Sequence, residues 1–345
     1  VLNVLEIDGS QGEGGGQVLR SSLALSMALG VPFRLFNVRA GREKPGLMRQ
    51  HLTAVLAAAE ICGAKVSGAT AGSSVVVFEP GEVRAGEYRF PIGTAGSTTL
   101  VLQAILPALL AAKGPSKVVV EGGTHARWAP PFEFFVGAMV PLLQKLGHGV
   151  VASLEVHGFY PAGGGRICVE VTPAAKMKAL QLHERGALRA TYGRAIYSKL
   201  PRKIAERELE EVERRLGWSF DHENVIEVNG AISPGNALSL FVESEFVTEV
   251  FCSLGEQGKP CESVAGEAID EVRRYNSHTA PVGTHLADQL MVPLAIAAAR
   301  GTGPSSFTTL PPSRHALTNS EIVGMFLGRK PVFEKQDRAW RWTVA

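Results

Sequence analysis

The chain has 345 residues, 45% of them apolar, with 38 glycines and 20 prolines. That length suffices for two domains and a full core, and the composition excludes a disordered, collagenous or low-complexity protein. Its 35 Lys and Arg against 33 Asp and Glu leave a formal charge of +2, which excludes a strongly basic nucleic-acid binder, so any nucleic-acid contact is expected to be local.

The sequence opens on Val1-Leu2-Asn3-Val4-Leu5-Glu6-Ile7 and then glycines, without the basic start and apolar h-region of a signal peptide. Its longest apolar stretches, 100–112 and 290–299, fall short of the roughly 20 residues of a membrane span and read as buried helices. Cys62, Cys168, Cys252 and Cys261 show neither metal-ligand spacing nor disulfide density. A soluble, cytoplasmic protein with no membrane partner is expected.

In chain order, three segments follow one plan: a glycine-rich turn, an apolar helix ending at glycine, a β-rich run, a polar loop and a second apolar helix ending at glycine. The helices of the first copy close at Gly30 and Gly63 and those of the second at Gly114 and Gly147, 33 positions apart in both. Val75-Val76-Val77-Phe78 and Val118-Val119-Val120 are the β-rich runs. A third, shorter copy opens at Pro281, with helices ending near Gly301 and Gly328. The repeat is an α/β unit, expected at about 1–85, 86–185 and 277–345.

Residues 186–276 break the plan and read as an inserted small α/β domain. The insert is expected to hold a charged helix over 201–216, β-rich stretches at 225–228 and 238–247, and a helix near 263–274. In the first helix Glu206, Glu208, Glu210, Glu211 and Glu213 balance Arg202, Lys203, Arg207, Arg214 and Arg215, the pattern of a solvated face with Glu210–Arg214 and Glu211–Arg215 pairs.

The candidate chemistry lies in the loops of the repeats. Gly12-Glu13-Gly14-Gly15-Gly16-Gln17 stands between a short strand and a helix, where backbone amides favour an anion. It lacks the final glycine of a dinucleotide fingerprint and the Lys-Ser/Thr of a P-loop, and it reads equally as a phosphate site or a tight turn. Arg20, then Arg39, Arg42 and Lys44, then Arg49, Gln50 and His51 could surround an oligophosphate or form a solvated loop. Glu13 among glycines could hold a divalent metal. The second copy offers Gly93-Thr94-Ala95-Gly96-Ser97, Gln103 and the run His125-Ala126-Arg127-Trp128, a nucleotide or RNA contact or else packing. His315 follows Pro311-Pro312-Ser313 at a loop-to-helix junction and reads as a nucleophile or a capping histidine.

Glu13-Gly14-Gly15-Gly16-Gln17, Arg42-Glu43-Lys44-Pro45-Gly46-Leu47, Gly122-Gly123-Thr124, His285-Leu286-Ala287-Asp288-Gln289 and His315-Ala316-Leu317-Thr318-Asn319, in that order, resemble the RNA 3'-terminal phosphate cyclase family. The resemblance implies an α/β (α+β) fold of three βαβαββ-like units, similar to an initiation-factor domain and to enolpyruvate transferases, with a smaller thioredoxin-like insert. It implies an RNA-processing ligase that uses ATP and a divalent metal, Mg or Mn, to close a 2',3'-cyclic phosphate on RNA bearing a 3'-terminal phosphate. By the same resemblance His315 takes AMP, Glu13 binds the metal, and Gln103, His285, Leu286, Ala287, Asp288 and Gln289 contact ATP, with Pro131 on the adenine. Arg20, Arg39, Arg42, Gln50, His51 and Arg127 would meet phosphates or RNA. Some members carry tyrosine where this chain has His285, which implies an imidazole beside the adenine here. The family also includes a non-catalytic ribosome-assembly protein that binds RNA and protein but has lost the nucleophile; His315 is retained here. An oligomer through an exposed strand of the insert is left open.

Overall fold

The computed structural model describes residues 4–12 and 14–345. The first unit runs β1 (Leu5–Asp8), α1 (Gln17–Leu29), β2 (Phe33–Phe36), α2 (Arg49–Cys62), β3 (Lys65–Ser67) and β4 (Val76–Glu79). Its strands lie in the order β1-β2-β4-β3, with β1 parallel to β2 and the other pairs antiparallel.

The second unit repeats that order. It comprises β5 (Glu87–Pro91), α3 (Thr98–Leu109), β6 (Ser116–Gly122), α4 (Phe132–Phe134) running through a π-turn (Phe135–Met139) into α5 (Val140–Lys145), then β7 (Gly149–Val156) and β8 (Gly165–Thr172). Its sheet is β5-β6-β8-β7, again with one parallel pair.

The third sheet begins before the insert, with β9 (Gln181–Leu182). The insert follows as β10 (Leu188–Ser198), α6 (Arg202–Leu216), β11 (Val225–Glu227), β12 (Gly235–Ser244), β13 (Thr248–Leu254) and α7 (Cys261–Asn276). The unit then resumes with α8 (Thr284–Ala299), β14 (Ser305–Thr309), α9 (Arg314–Leu327), β15 (Val332–Gln336) and β16 (Ala339–Val344). The order β9-β14-β16-β15, with β9 parallel to β14, is that of the other two sheets. Strand β9 lies inside the range read as the second copy, but its hydrogen-bond partner is in the third. A strand of two residues carries too little alternation to be assigned by pattern.

The first helix of each unit, α1, α3 and α8, is apolar nearly all round, and such helices have no solvent face. They pack on one another at the centre. Strand faces alternate to match: Phe33 and Leu35 of β2 point inward, as do Val118 and Val120 of β6. One hydrophobic cluster runs through all three units, and the insert builds another between its own sheet, of order β11-β10-β12-β13, and helices α6 and α7. No helix among the described residues is long and apolar enough to cross a membrane.

Four local expectations change. Helix α3 ends at Leu109 and not at Gly114, so the matched spacing of glycines does not mark equivalent helix ends; Gly30 and Gly63 do cap their helices in the left-handed conformation. The run 238–247 is the end of β12 plus the turn into β13, a strand that pattern alone passed over. Glu208, counted with the solvated charges of α6, is fully buried beside Ala205, Leu209 and Val212 and accepts a hydrogen bond from Asn236 Nδ2. Its spacing, three residues from Ala205 and four from Val212, puts it on the apolar stripe, which outweighs its charge. Burial pushes its carboxyl up to about 8, against the opposing hydrogen bond from Asn236. Arg214 pairs with Glu211 at 2.6 Å and leaves Glu210 aside.

Candidate functional site

The three-unit topology sends each parallel strand into a helix N-terminus at one end of its sheet. Side chains from different units meet there. Gln50, in the first turn of α2, accepts through Oε1 from the backbone N–H of Ser97, the N-cap of α3, at 2.6 Å. Gln17, at the start of α1, meets His315 at the start of α9. Helix N-termini carry unpaired N–H groups and a partial positive charge, so this convergence favours an anion.

Two glycines of the first loop are required by what they touch. Gly12 has φ +63°, and a Cβ there would lie 2.0 Å from Thr318 Oγ1 on α9. A Cβ on Gly16 would lie 2.3 Å from His51 Nε2 and 2.9 Å from an Arg20 guanidinium nitrogen. The glycine run thus lets the backbone close against α9, α2 and Arg20 together. Glu13, expected to hold a metal, lies outside the described residues.

His315 is solvent-exposed in the first turn of α9, whose N-cap Ser313 accepts from Ala316 N–H. Its Nδ1 is 2.8 Å from Gln17 Oε1. The amide nitrogen of Gln17 donates to the Asp288 carboxylate, which also accepts from Asn319 Nδ2 at 3.2 Å, and Asn319 Oδ1 accepts from Ser21 Oγ at 2.7 Å. A carboxylate only accepts, so it fixes which end of the Gln17 amide faces the imidazole: the oxygen does, Nδ1 carries the proton, and Nε2 is the ring nitrogen that bears the lone pair. Burial holds the His315 pKa below the ordinary histidine value; Asp288 opposes this, while Arg20, Arg42 and His285 add to it. The ring is therefore a neutral base at neutral pH. Burial holds the Asp288 carboxyl above its ordinary range, against the pull of His315 and Arg20.

Arg20 is buried and donates from Nε to Gln103 Oε1 at 2.6 Å. Burial lowers it to about 10, with Asp288 opposing, so it stays charged. His51 is buried, and its Nδ1 has no hydrogen-bond partner among the described residues. Burial, then Arg20, Arg39 and Arg42, push it down to about 3, leaving a neutral ring within a cationic cluster. Arg39, at φ 55°, donates from one guanidinium nitrogen to the carbonyls of Lys44 and Gly46 and braces its own loop.

Gln103, Asp288 and Gln289 line a mainly apolar cleft together with Phe134, Phe135 and Val292. The enclosed part of the cleft is narrow, about 40 Å³. Pro130 lines it, whereas Pro131 is buried as the N-cap of α4. Leu286 and Ala287 are core residues that can offer only backbone. His285 is exposed and pairs with Glu271 of the insert at 2.9 Å, which raises its pKa. Arg127 pairs with Glu256 of the insert at 2.9 Å and lies over the Trp128 ring, away from the residues gathered around His315 in these contacts. His125, read with Arg127 and Trp128 as a contact, is buried against Glu133 and Thr124.

Sequence reasoning passed over Gln17, Ser21 and Asn319. Gln17 and Asn319 stood within the recognised motifs, which was the available signal; Ser21, a small hydroxyl on an apolar helix, offered none.

The family model for RNA 3'-terminal phosphate cyclase matches residues 11–332. A relative in Ralstonia nicotianae named RNA 3'-terminal phosphate cyclase is 51% identical over 324 residues, covering 94% of this chain and 91% of its own. Another of that name in Koribacter versatilis is 48% identical over 326 residues, covering 94% and 90%. The solved enolpyruvyl transferase NikO from Streptomyces tendae, aligned over 99% of this chain and 48% of its own at 12% identity and a TM-score of 0.37, is too remote to bear on fold or function. With a family model spanning most of its length and relatives near half identity, the chain belongs to the RNA 3'-terminal phosphate cyclase family.

Proposed function

We propose that this chain converts an RNA 3'-terminal phosphate to a 2',3'-cyclic phosphodiester at the expense of ATP, through an AMP carried on His315. The observation that carries the reading is the neutral His315 ring, oriented through Gln17 by Asp288 beside the charged Arg20.

His315 Nε2 attacks the α-phosphorus of ATP, the bond to the β-phosphate oxygen breaks, and pyrophosphate leaves. An oxygen of the RNA 3'-phosphate then attacks the same phosphorus and releases His315. The neighbouring 2'-hydroxyl attacks the activated 3'-phosphorus, its proton passes to solvent or base, and AMP departs. Proximity within one ribose favours that last step. Arg20 and Arg42 offset the charge that builds on the phosphates, with Arg39 holding their loop. Gln103, Asp288 and Gln289, which line the cleft, suit the nucleoside, and His285 is assigned to the same ligand by the resemblance alone.

A divalent metal on Glu13 belongs to this reading. Among the described residues no group of three or more His, Cys, Asp or Glu is placed to hold one, so no step is routed through it. Catalysis is assigned to 1–185 and 277–345, with 186–276 a separate domain. All four cysteines are outside disulfides, which fits a reducing cytoplasm.

The test is incubation with α-labelled ATP and Mg or Mn. Acid-labile, alkali-stable label on wild type, absent from His315→Ala, is the expected result. A folded wild type that takes no label would favour non-catalytic RNA and protein binding instead.

A further inference from the structure

Trp128 and Tyr160 are 89% and 77% exposed, the two most exposed of the large hydrophobic side chains among the described residues. Trp128 is not loosely placed. It sits at φ 61°, a left-handed conformation that a bulky residue adopts only when its surroundings impose it. The Arg127 guanidinium lies 5.3 Å from the centre of its ring and is held by Glu256. Beneath the two loops, the buried His125 ring stacks on His157 at 5.6 Å and meets Phe159 at a tilt at 5.3 Å, with Glu133 and Thr124 taking its two nitrogens. The exposed rings stand on a packed base.

The position of these loops in the topology gives them meaning. The loop 123–131 leaves the C-terminal end of β6, the second parallel strand of its unit. In the first unit the equivalent loop, after β2, carries Arg39 and Arg42; in the third, after β14, it leads into His315. Tyr160 lies in the turn between β7 and β8 at the same end of the sheet, where Gly165 pairs with Gly122. The surfaces are joined: Gly163 presses on Ala95, Gly123 pairs with Ser97, and Ser97 binds Gln50 beside His51.

We infer that Trp128 and Tyr160, with Arg127, form a stacking platform for the nucleotides of a single-stranded RNA just upstream of the 3'-terminal phosphate that reaches His315. This rests on the proposed function and names how the RNA, rather than the ATP, is held. Unpaired bases stack on exposed aromatic rings and guanidinium planes, and a cation beside the ring suits the adjoining phosphate. A protein partner would call for one contiguous apolar patch with its charges at the rim; here the rings come from separate loops with a cation against one of them.

The experiment uses the full chain and 5'-fluorescent RNAs of about two to ten nucleotides ending in a 3'-phosphate. It measures Kd by anisotropy and, separately, AMP labelling. Wild-type Kd is expected to fall as the RNA lengthens over the first few nucleotides. Trp128→Ala should raise Kd for the longer RNAs about tenfold while hardly moving the dinucleotide, with Trp128→Phe restoring most of the loss. Tyr160→Ala, at an equally open position, should act in the same direction. Length-independent Kd in wild type, or equal Kd for wild type and both alanine variants, would overturn the platform and assign the surface to a protein partner. Failure of wild type to take AMP would strike the reading beneath it instead, and the Kd series would still judge the platform.

Discussion

The first and third units use the same connection, from first strand to first helix, in opposite ways. In the first unit it is residues 9–16, mostly glycine, and it contributes by being small: Gly12 lies against Thr318 and Gly16 against His51 and Arg20. In the third it is residues 183–283, long enough to hold a sheet and two helices. That connection reaches back to the site through carboxylates: Glu249 of β13 accepts from the N–H of Gly283, the N-cap of α8, and Glu271 pairs with His285. The buried ionisable groups differ accordingly. Arg20 at about 10 keeps its charge for phosphates, whereas burial lifts both Glu208 and Glu249 to about 8 and leaves them mostly protonated at neutral pH. One topological position can therefore house a charged site or a nearly neutral support, according to what is buried there.

The largest effect that would break this contrast lies at the small loop's side. His315→Ala should abolish covalent AMP, at least about 10³-fold, read by labelling. Next, Gln17→Leu should slow self-adenylation about 100-fold with little change in ATP affinity, because the imidazole loses the acceptor that sets its tautomer and aim; an unchanged rate would remove Gln17 from the arrangement. Smaller is the effect of Arg42→Gln. The Arg42 charge helps keep His315 neutral, so removing it should move the acid limb of the self-adenylation pH profile to higher pH.

The smallest effect sharpens the insert's half of the comparison. A carboxyl raised by folding makes the folded state bind more protons, so stability is fullest below the unfolded value of about 4.5 and is lost as pH rises through about 8. Glu208→Gln should therefore raise Tm by several degrees at pH 9 and by roughly half as much at pH 6, in paired melts. A gain that did not depend on pH would mean that Glu208 is charged at both.

Periodicity and glycine punctuation made the three α/β units and the presence of an insert legible, because a buried helix needs an apolar face and its C-terminal turn favours glycine. Of the candidate site, His315, Asp288, Arg20, Gln103 and His51 lie together in the structure. Pro130 lines the cleft and Pro131 is the N-cap of α4, because which of two adjacent prolines faces a cavity depends on the path of the loop. Helix chemistry along the chain thus determined which segments form units and which residues could do chemistry. Only the tertiary structure decided that Gln17 links Asp288 to His315, that Glu208 is buried and that Trp128 is bare, since hydrogen-bond partners and burial are settled by residues far away in the chain.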